Sequence, residues 1–415
     1  MTAMTAMSTN YDKSPWLDRV PASRVPAYPR QRGSLRTDVA IVGGGLAGCA
    51  TAYALAAAGI KVALVEAGRI GRGSTASALG RIAEDPGVSF LDTEKANGSR
   101  AARHAFGLWR RAALDFVALL KRLDVKCDLR PLPGVQVAVT PDQAARLARE
   151  QKARRDAGLD APFLTPRAIA AELALGASAA IREKSDAAAD PYRACVGIAA
   201  AAANRGASIF ERSPATRIKF GSKAVDVFTA TGTIRAGRVV VATGAPTGLS
   251  GPLARHFWYR TSFLVLTDPV PAKIRRELGR RASVVRDSAE PPHIIRWLDD
   301  DRLMVTGADG ASAPGRQRDK LIVQRTGQLM YELSTLYPAI SGIMPAFGWD
   351  AAYARSADGL PCIGPHRNFP RHLFAFGDSS RGLTGAYLAS RILLRYLLDE
   401  VEAADVAFAF MRHGH

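Results

Sequence analysis

The segment from Asp38 to Ala67, DVAIVGGGLAGCATAYALAAAGIKVALVEA, narrows the fold more than any other part of the chain. An apolar run of this size has the length of a membrane span. Three consecutive glycines, Gly43 to Gly45, interrupt it, and such a cluster belongs in a turn rather than a helix interior. Val39 to Val42 reads as a buried strand, Leu46 to Ala58 as an alanine-rich helix closed by Gly59, and Lys61 to Glu66 as a second short strand. Strand, turn, helix and strand make a βαβ unit, which requires a parallel sheet. No membrane span is expected.

The glycines also carry chemistry. In Gly43-x-Gly45-x-x-Gly48 the first glycine permits the tight turn, the second lets backbone approach a pyrophosphate, and the third lets the helix pack on the strand. The helix N-terminus then faces the phosphates. Glu66 follows Gly48 by 18 residues and ends the second strand, where a carboxylate accepts hydrogen bonds from a ribose hydroxyl. That acid argues against a ribose carrying a 2′-phosphate, but NAD and FAD remain equally open.

With 415 residues the chain is long enough for two domains. Its 47% hydrophobic and 23% charged residues give a globular balance. The formal charge of +18 comes mostly from 45 arginines against 11 lysines, scattered as in RAARHAFGLWRR. A positive field favours anionic ligands, but scatter of this kind argues for a solvated surface and against a nucleic-acid partner. The four cysteines, Cys49, Cys127, Cys195 and Cys362, form no CxxC pair and stand at no metal-ligand spacing. They are expected to be reduced and buried, with no metal, which fits the cytoplasm. Residues 1–36 lack the apolar core of a signal peptide and read as an irregular leader.

Further on, Ala105, Leu108, Ala112, Phe116, Leu119 and Leu123 give one apolar face to a helix over 97–124. Gly134–Val139 reads as a strand. Thr140, Pro141 and Gln143 start another helix as cap, first residue and capping-box partner, and Asp190-Pro191 opens one that runs to about Asn204. Strands are expected at 208–211, 216–220, 224–229 and 233–242. WYRTSFLVLTD, ASVVRD, HIIRWL and RLMVTG read as antiparallel strands, the last two joined by the Asp299–Asp301 turn. Gln317–Leu336 is helical. The stretch 349–400 reads as a loop-rich part, the strand HLFAFG, a glycine turn and a long helix. The fold class is therefore α/β, more closely an α+β arrangement of two domains.

Four segments resemble the D-amino-acid oxidase (DAO) superfamily of FAD-dependent oxidoreductases, in the branch of glycine, sarcosine and γ-glutamylputrescine oxidases. They are the opening run through EAGRIGRGSTAS, then DPYRACVGIAAAAANRGASIFERSPATRI, then VVVATGA, and finally YARSADGLPCIGPHRNFPRHLFAFGDSSRGLTGAYLASRIL. The resemblance implies a Rossmann-like FAD domain from 37–85, 186–252 and 348–405, and a substrate domain from 86–185 and 253–347. It implies that Gly43, Gly45 and Gly48 approach the pyrophosphate, that Glu66 holds the ribose, and that Ala67 beside it also binds the cofactor. Arg69, Gly73, Ser74 and Thr75 would run beside the phosphates and ribityl chain. Ala215 or Thr216 would meet the adenine, with Ala242, Thr243 and Gly244 at the end of VVVATGA. Gly377, Asp378, Arg381, Gly382, Leu383 and Thr384 would close on the flavin, with the N–H groups of Gly377 and of 382–384 aimed at its pyrimidine oxygens. Arg81 stands where the family often has a small residue. About Ala351 stands where sarcosine oxidases tether flavin through a cysteine, so FAD is expected to be non-covalent.

The resemblance implies an enzyme that removes a hydride from the carbon beside the nitrogen of a small amine or amino acid, leaving an imine for water to hydrolyse. Oxygen or another acceptor would reoxidise the flavin. The antiparallel sheet would roof the flavin, which makes Tyr259, Arg260, His293, Arg296 and Trp349 candidates there, and Arg81, in the loop below the isoalloxazine, is a further positioning candidate. Alternation along HIIRW puts His293 and Arg296 on opposite faces, and Arg296 suits a substrate carboxylate through paired hydrogen bonds. No acid or base is assigned. Two alternatives stay open: an FAD-dependent tRNA-modifying enzyme of the same superfamily, and a dinucleotide-binding protein without turnover.

Overall fold

The computed structural model describes residues 9–159, 161–378 and 382–412. The chain divides into two compact units. One comprises Arg19–Arg130, Ala187–Tyr259 and Tyr353–His415; the other comprises Met1–Asp18, Pro131–Asp186 and Arg260–Ala352.

The first unit is built on a parallel sheet. Its strands run in the order Ser208–Phe210, Val62–Val65, Gly33–Val42, Gly232–Gly244, His372–Phe376, with Cys362–Pro365 antiparallel at the edge. Val39 pairs with Val62, Val240 with Ile41, and Val241 with Phe374. Ala40, Ile41, Ala63, Leu64 and Val239–Val241 are fully buried, because both faces are covered, as a parallel sheet requires. On one face lie the helices Leu46–Ala57, Ser99–Arg122, Pro191–Asn204 and Thr384–Leu398. Trp109 and Phe116 anchor the long helix, with the Phe116 ring stacked on Tyr387 at 5.0 Å. The other face packs on Leu253, Phe257, Phe410 and the inward residues of an antiparallel ribbon, Ala215–Phe220 with Val225–Thr229.

The second unit carries an eight-stranded sheet. Its order is Asn10–Tyr11, Pro345–Arg355, Trp258–Thr267, Leu303–Ala311, Ile294–Trp297, Val284–Arg286, Gly134–Ala138, Ala179–Glu183. Ile294–Trp297 and Leu303–Ala311 form the expected hairpin, and Asp301 takes the left-handed conformation (φ 62°) in its turn. The helix Gly315–Leu336 covers one face, where Ile322, Leu329 and Leu333 meet Val265, Ile295 and Val305. Thr140 and Gln143 make the capping box expected of them.

Some elements differ from the sequence reading. Residues 9–36 are not an irregular leader: Asn10–Tyr11 pairs with Phe347 and Gly348, Trp16 is 1% exposed, and Gly33 already begins the central strand. A buried indole removes a large apolar area from water and fixes the chain around it. Pro345–Arg355 is a strand, where the sequence read loop from 349 onward. The helices Phe90–Asn97 and Pro166–Leu173 were not anticipated. Among the described residues no helix is long and apolar enough to cross a membrane.

Candidate functional site

The glycine turn leaves the Gly33–Val42 strand at its C-terminal end, where ligands gather in open α/β sheets. Gly43 has φ +111°, and a Cβ there would stand 2.6 Å from the Ala242 carbonyl oxygen. A Cβ on Gly48 would overlap the Gly43 carbonyl. Strand and helix therefore meet backbone to backbone. A Cβ on Gly45 would meet only Thr75 Oγ1, at 3.3 Å, and one on Gly73 would meet nothing within 4 Å.

The Gly44 peptide is held from both ends. Its N–H donates to Glu66 Oε2 at 2.7 Å. Its carbonyl accepts from the Gly71 N–H at 2.9 Å and lies 3.5 Å from Cys49 Sγ and 3.8 Å from Cys195 Sγ. Glu66 Oε1 accepts from the Gly68 N–H at 2.7 Å. Thr75 Oγ1 accepts from the Leu46 N–H at 3.0 Å, tying the 68–75 loop to the first turn of the helix.

Other segments converge on the same edge of the sheet. Thr243 Oγ1 donates to the Ala245 carbonyl at 2.8 Å. Gly244 (φ +74°) accepts from the Gly377 N–H at 3.0 Å, and a Cβ on Gly244 would lie 3.9 Å from Ser74 Oγ. The Leu383 N–H donates to the Arg81 carbonyl at 2.9 Å, and Thr384 Oγ1 donates to the Ala83 carbonyl at 2.8 Å. A Cβ on Gly385 would overlap the Asp378 carboxylate. Glu66, Ala215 and Arg69 are half-buried, while Ala67 and Thr216 are exposed.

One expectation changes. The N–H groups of Gly377 and Leu383 do not point outward to a ligand: each bonds a backbone carbonyl, as buried N–H groups must. Arg381 lies outside the described residues. The sequence reading missed Glu211, which is 5% exposed and accepts from the Ile70 N–H at 2.9 Å. It sits directly after the Ser208–Phe210 strand and fixes the loop that follows Glu66. An acid ending an apolar strand beside the first one was the signal available.

In the second unit, a Cβ on Gly307 would lie 2.9 Å from the His293 ring and 3.3 Å from Leu329 of the covering helix, which places His293 on the helix-covered face. Its Nδ1 lies 2.6 Å from Asp287 Oδ2 and its Nε2 2.9 Å from Glu332 Oε2. Burial alone would lower its pKa, but the bonds and charges of Asp287 and Glu332 outweigh burial and raise it to about 9. Both ring nitrogens are engaged by carboxylates, which leaves neither free to position a substrate. Arg296 is 4% exposed on the opposite face, its guanidinium 5.5 Å from the centre of the Trp16 ring. Trp349 is 2% exposed on that same face, since its neighbours Gly348 and Asp350 turn to Thr326 and Arg318 of the helix. Tyr259 is 44% exposed and donates to the Pro246 carbonyl at 3.2 Å. Arg81 is 4% exposed, in a short strand paired with Ala187–Ala188.

A flavin dinucleotide fits the edge around Gly43. The helix Leu46–Ala57 is buried almost throughout, yet Gly43, Gly45 and Ala47 at its start are partly open. The Gly45 cap supplies no side-chain acceptor of its own and Thr75 Oγ1 takes only the Leu46 N–H, so the positive end of the dipole still suits phosphate. Glu66 uses one acceptor position on each oxygen, and a carboxylate offers about four.

Comparison with known proteins agrees. The γ-glutamylputrescine oxidoreductase of Escherichia coli K12 is 28% identical over 397 residues, covering 94% of this chain and 90% of the relative. The glycine oxidase of Bacillus licheniformis is 27% identical over 380 residues, covering 86% and 93%. The crystal structure of glycine oxidase from Geobacillus kaustophilus superposes with a TM-score of 0.75 at 22% identity, covering 92% of this chain and all of that one. The family model described as DAO, FAD dependent oxidoreductase, matches residues 38–395. With the dinucleotide turn, its carboxylate and the closing segment all on one sheet edge, the chain belongs to the DAO family of FAD-dependent oxidoreductases.

Proposed function

We propose that the chain oxidises the carbon–nitrogen bond of a small amine or amino acid, with an imine as product and water completing its hydrolysis. Bound FAD supplies the hydride acceptor, at its N5 atom. The relatives support the substrate class by their names, one a γ-glutamylputrescine oxidoreductase and several glycine oxidases. The observation that carries the reading is Arg296, a buried guanidinium set over an indole on a sheet face that the covering helix does not occupy. A buried cation of this kind suits a carboxylate beside the reacting carbon.

The remaining residues divide the work. Gly43, Gly45, Gly48 and Thr75 take the pyrophosphate, and Glu66 takes the ribose through its remaining lone pairs. Ser74 and Gly244 border the ribityl path, and Trp349, on the sheet face that carries Arg296, is a further substrate-positioning candidate. A neutral amine needs no dedicated base, and the doubly engaged His293 does not serve as one. FAD is held without a covalent bond, which the burial of Cys49, Cys127, Cys195 and Cys362 supports. The segments 37–85, 186–252 and 348–405 act as the FAD domain, and 86–185 with 253–347 as the substrate domain. Four free cysteines support a cytoplasmic setting.

The test is a screen of amines and amino acids for bleaching of the flavin absorbance without oxygen, followed by admission of air. Bleaching by amino acids and fast recovery in air mark an oxidase; bleaching with slow recovery marks a dehydrogenase using another acceptor. A protein purified without flavin absorbance, or one that no amine bleaches, would overturn the proposal.

A further inference from the structure

Arg412 and Asp358 form a buried, multiply hydrogen-bonded ion pair in the dinucleotide unit, and neither belongs to the residues assigned above. Their side chains are 4% and 1% exposed. Arg412 Nε donates to Asp358 Oδ2 at 2.7 Å and Nη2 to Oδ1 at 2.6 Å, the two-pronged geometry that fixes orientation as well as distance. The rest of the guanidinium donates to the Leu360 carbonyl at 2.8 Å, the Pro361 and Ala409 carbonyls at 3.1 Å, and Cys362 Sγ at 3.4 Å. Asp358 also accepts from Asn97 Nδ2 at 2.9 Å, Ser356 Oγ at 3.0 Å and the Leu360 N–H at 3.1 Å. Burial alone would raise the Asp358 pKa, but Arg412 overrides it and brings the carboxyl down to about 2.

The position of this pair matters. Cys362 stands in register with Phe376, one residue before Gly377, so 356–361 lies at the C-terminal edge of the parallel sheet. A Cβ on Gly359 would stand 2.6 Å from Val88 Cγ1, so this segment presses on the loop that carries Arg81 and Ala83. That loop in turn bonds Leu383 and Thr384. The helical turn at Ala403–Phe408, with Phe408 fully buried and 6.3 Å from the Trp109 ring centre, carries Arg412 into place.

We infer that Arg412 is a positioning residue for the flavin: through Asp358 it sets 356–361 and the 81–88 loop against the closing turn, so that the seating of residues 403–412 and FAD binding stabilise one another. This rests on the reading that FAD occupies the edge around Gly43.

The experiment follows amide hydrogen exchange in the flavin-loaded and deflavinated full chain, alongside Arg412→Ala, Arg412→Lys and Asp358→Asn. FAD is expected to slow exchange both at 43–48 and at 403–412. Arg412→Ala is expected to weaken FAD affinity by about tenfold or more and to alter the visible circular dichroism of bound flavin, with Arg412→Lys recovering part of each. An Arg412→Ala protein that melts at lower temperature but keeps wild-type FAD affinity and flavin dichroism reduces the pair to a fold staple and overturns the inference. Protection by FAD at 43–48 with none at 403–412 also overturns it, while leaving the FAD site intact. An absence of protection at 43–48 overturns the site and the inference together. If Arg412→Ala does not fold, the isosteric Asp358→Asn and the exchange data on the unmodified chain decide.

Discussion

At the Gly43 turn the groups that meet are peptide units: the carbonyls of Gly43, Gly44 and Ala242, the N–H of Gly71, and one carboxylate that holds two more N–H groups. On the sheet that carries Arg296 the groups that meet are side chains far apart in sequence, such as His293 with Glu332, or Arg296 with Trp16. The first arrangement is specified by the absence of side chains, and it tolerates almost no substitution. The second is specified by strand register and pairing, and each of its members is open to exchange at a finite cost. A backbone-built site suits a cofactor that never changes; a side-chain-built face suits a substrate that differs between relatives.

The largest effect expected is at the backbone site. Gly48→Val forces a branched side chain into the Gly43 carbonyl and is expected to cost roughly 3 kcal/mol or more, with loss of FAD on purification, read from the flavin-to-protein absorbance ratio. A variant that keeps its flavin would break the contrast. Next comes Arg296→Ala. It is expected to lower kcat/KM for carboxylate-bearing substrates by about 100-fold while flavin content stays at the wild-type level. Unchanged kinetics on every acidic substrate would remove Arg296 from the site.

His293 tests the side-chain region by pH. Its folded pKa of about 9 lies above the unfolded 6.5, so its stabilisation is complete below pH 6.5 and is lost as pH rises through 9. The loss is expected to be about 2 kcal/mol, below what the full shift corresponds to, because Glu332 is 28% exposed and solvent screens the pair. His293→Gln should flatten stability between pH 6.5 and 9, measured by urea unfolding. The smallest effect is expected at Asp190, the cap of the Pro191–Asn204 helix, whose Oδ1 accepts from the Arg193 N–H at 3.0 Å. Burial raises its pKa to about 6, so ionisation costs stability as pH climbs from 3.8 past 6. Asp190→Asn keeps the cap acceptor and should gain about 1 kcal/mol at pH 7.

The same contrast explains what could be read from the chain. The βαβ unit, the capped helices at Thr140 and Asp190 and the Asp299–Asp301 hairpin rest on local rules, and they stand where the residues put them. The strand Pro345–Arg355 was missed because PAFGWDAAYAR has no clean alternation, and its pairing with Asn10–Tyr11 spans over 300 residues. His293 looked like a pocket residue because nothing near it in sequence shows Glu332, 39 positions away. The N–H groups of Gly377 and Leu383 resembled a ligand cradle until their carbonyl partners, Gly244 and Arg81, were in place.

The cysteines beneath the glycine turn have a practical consequence. Cys49 and Cys195 are 0% exposed and hydrogen-bond each other, an interaction that, together with burial, pushes the Cys49 thiol well above its ordinary pKa. Thiolate, the reactive form, is therefore scarce at Cys49, and no reagent reaches either buried sulfur without the helices Leu46–Ala57 and Pro191–Asn204 parting. In excess reagent, the labelling rate of these two sulfurs becomes a stopwatch for opening of the dinucleotide unit, readable by mass spectrometry with the native chain and no added probe.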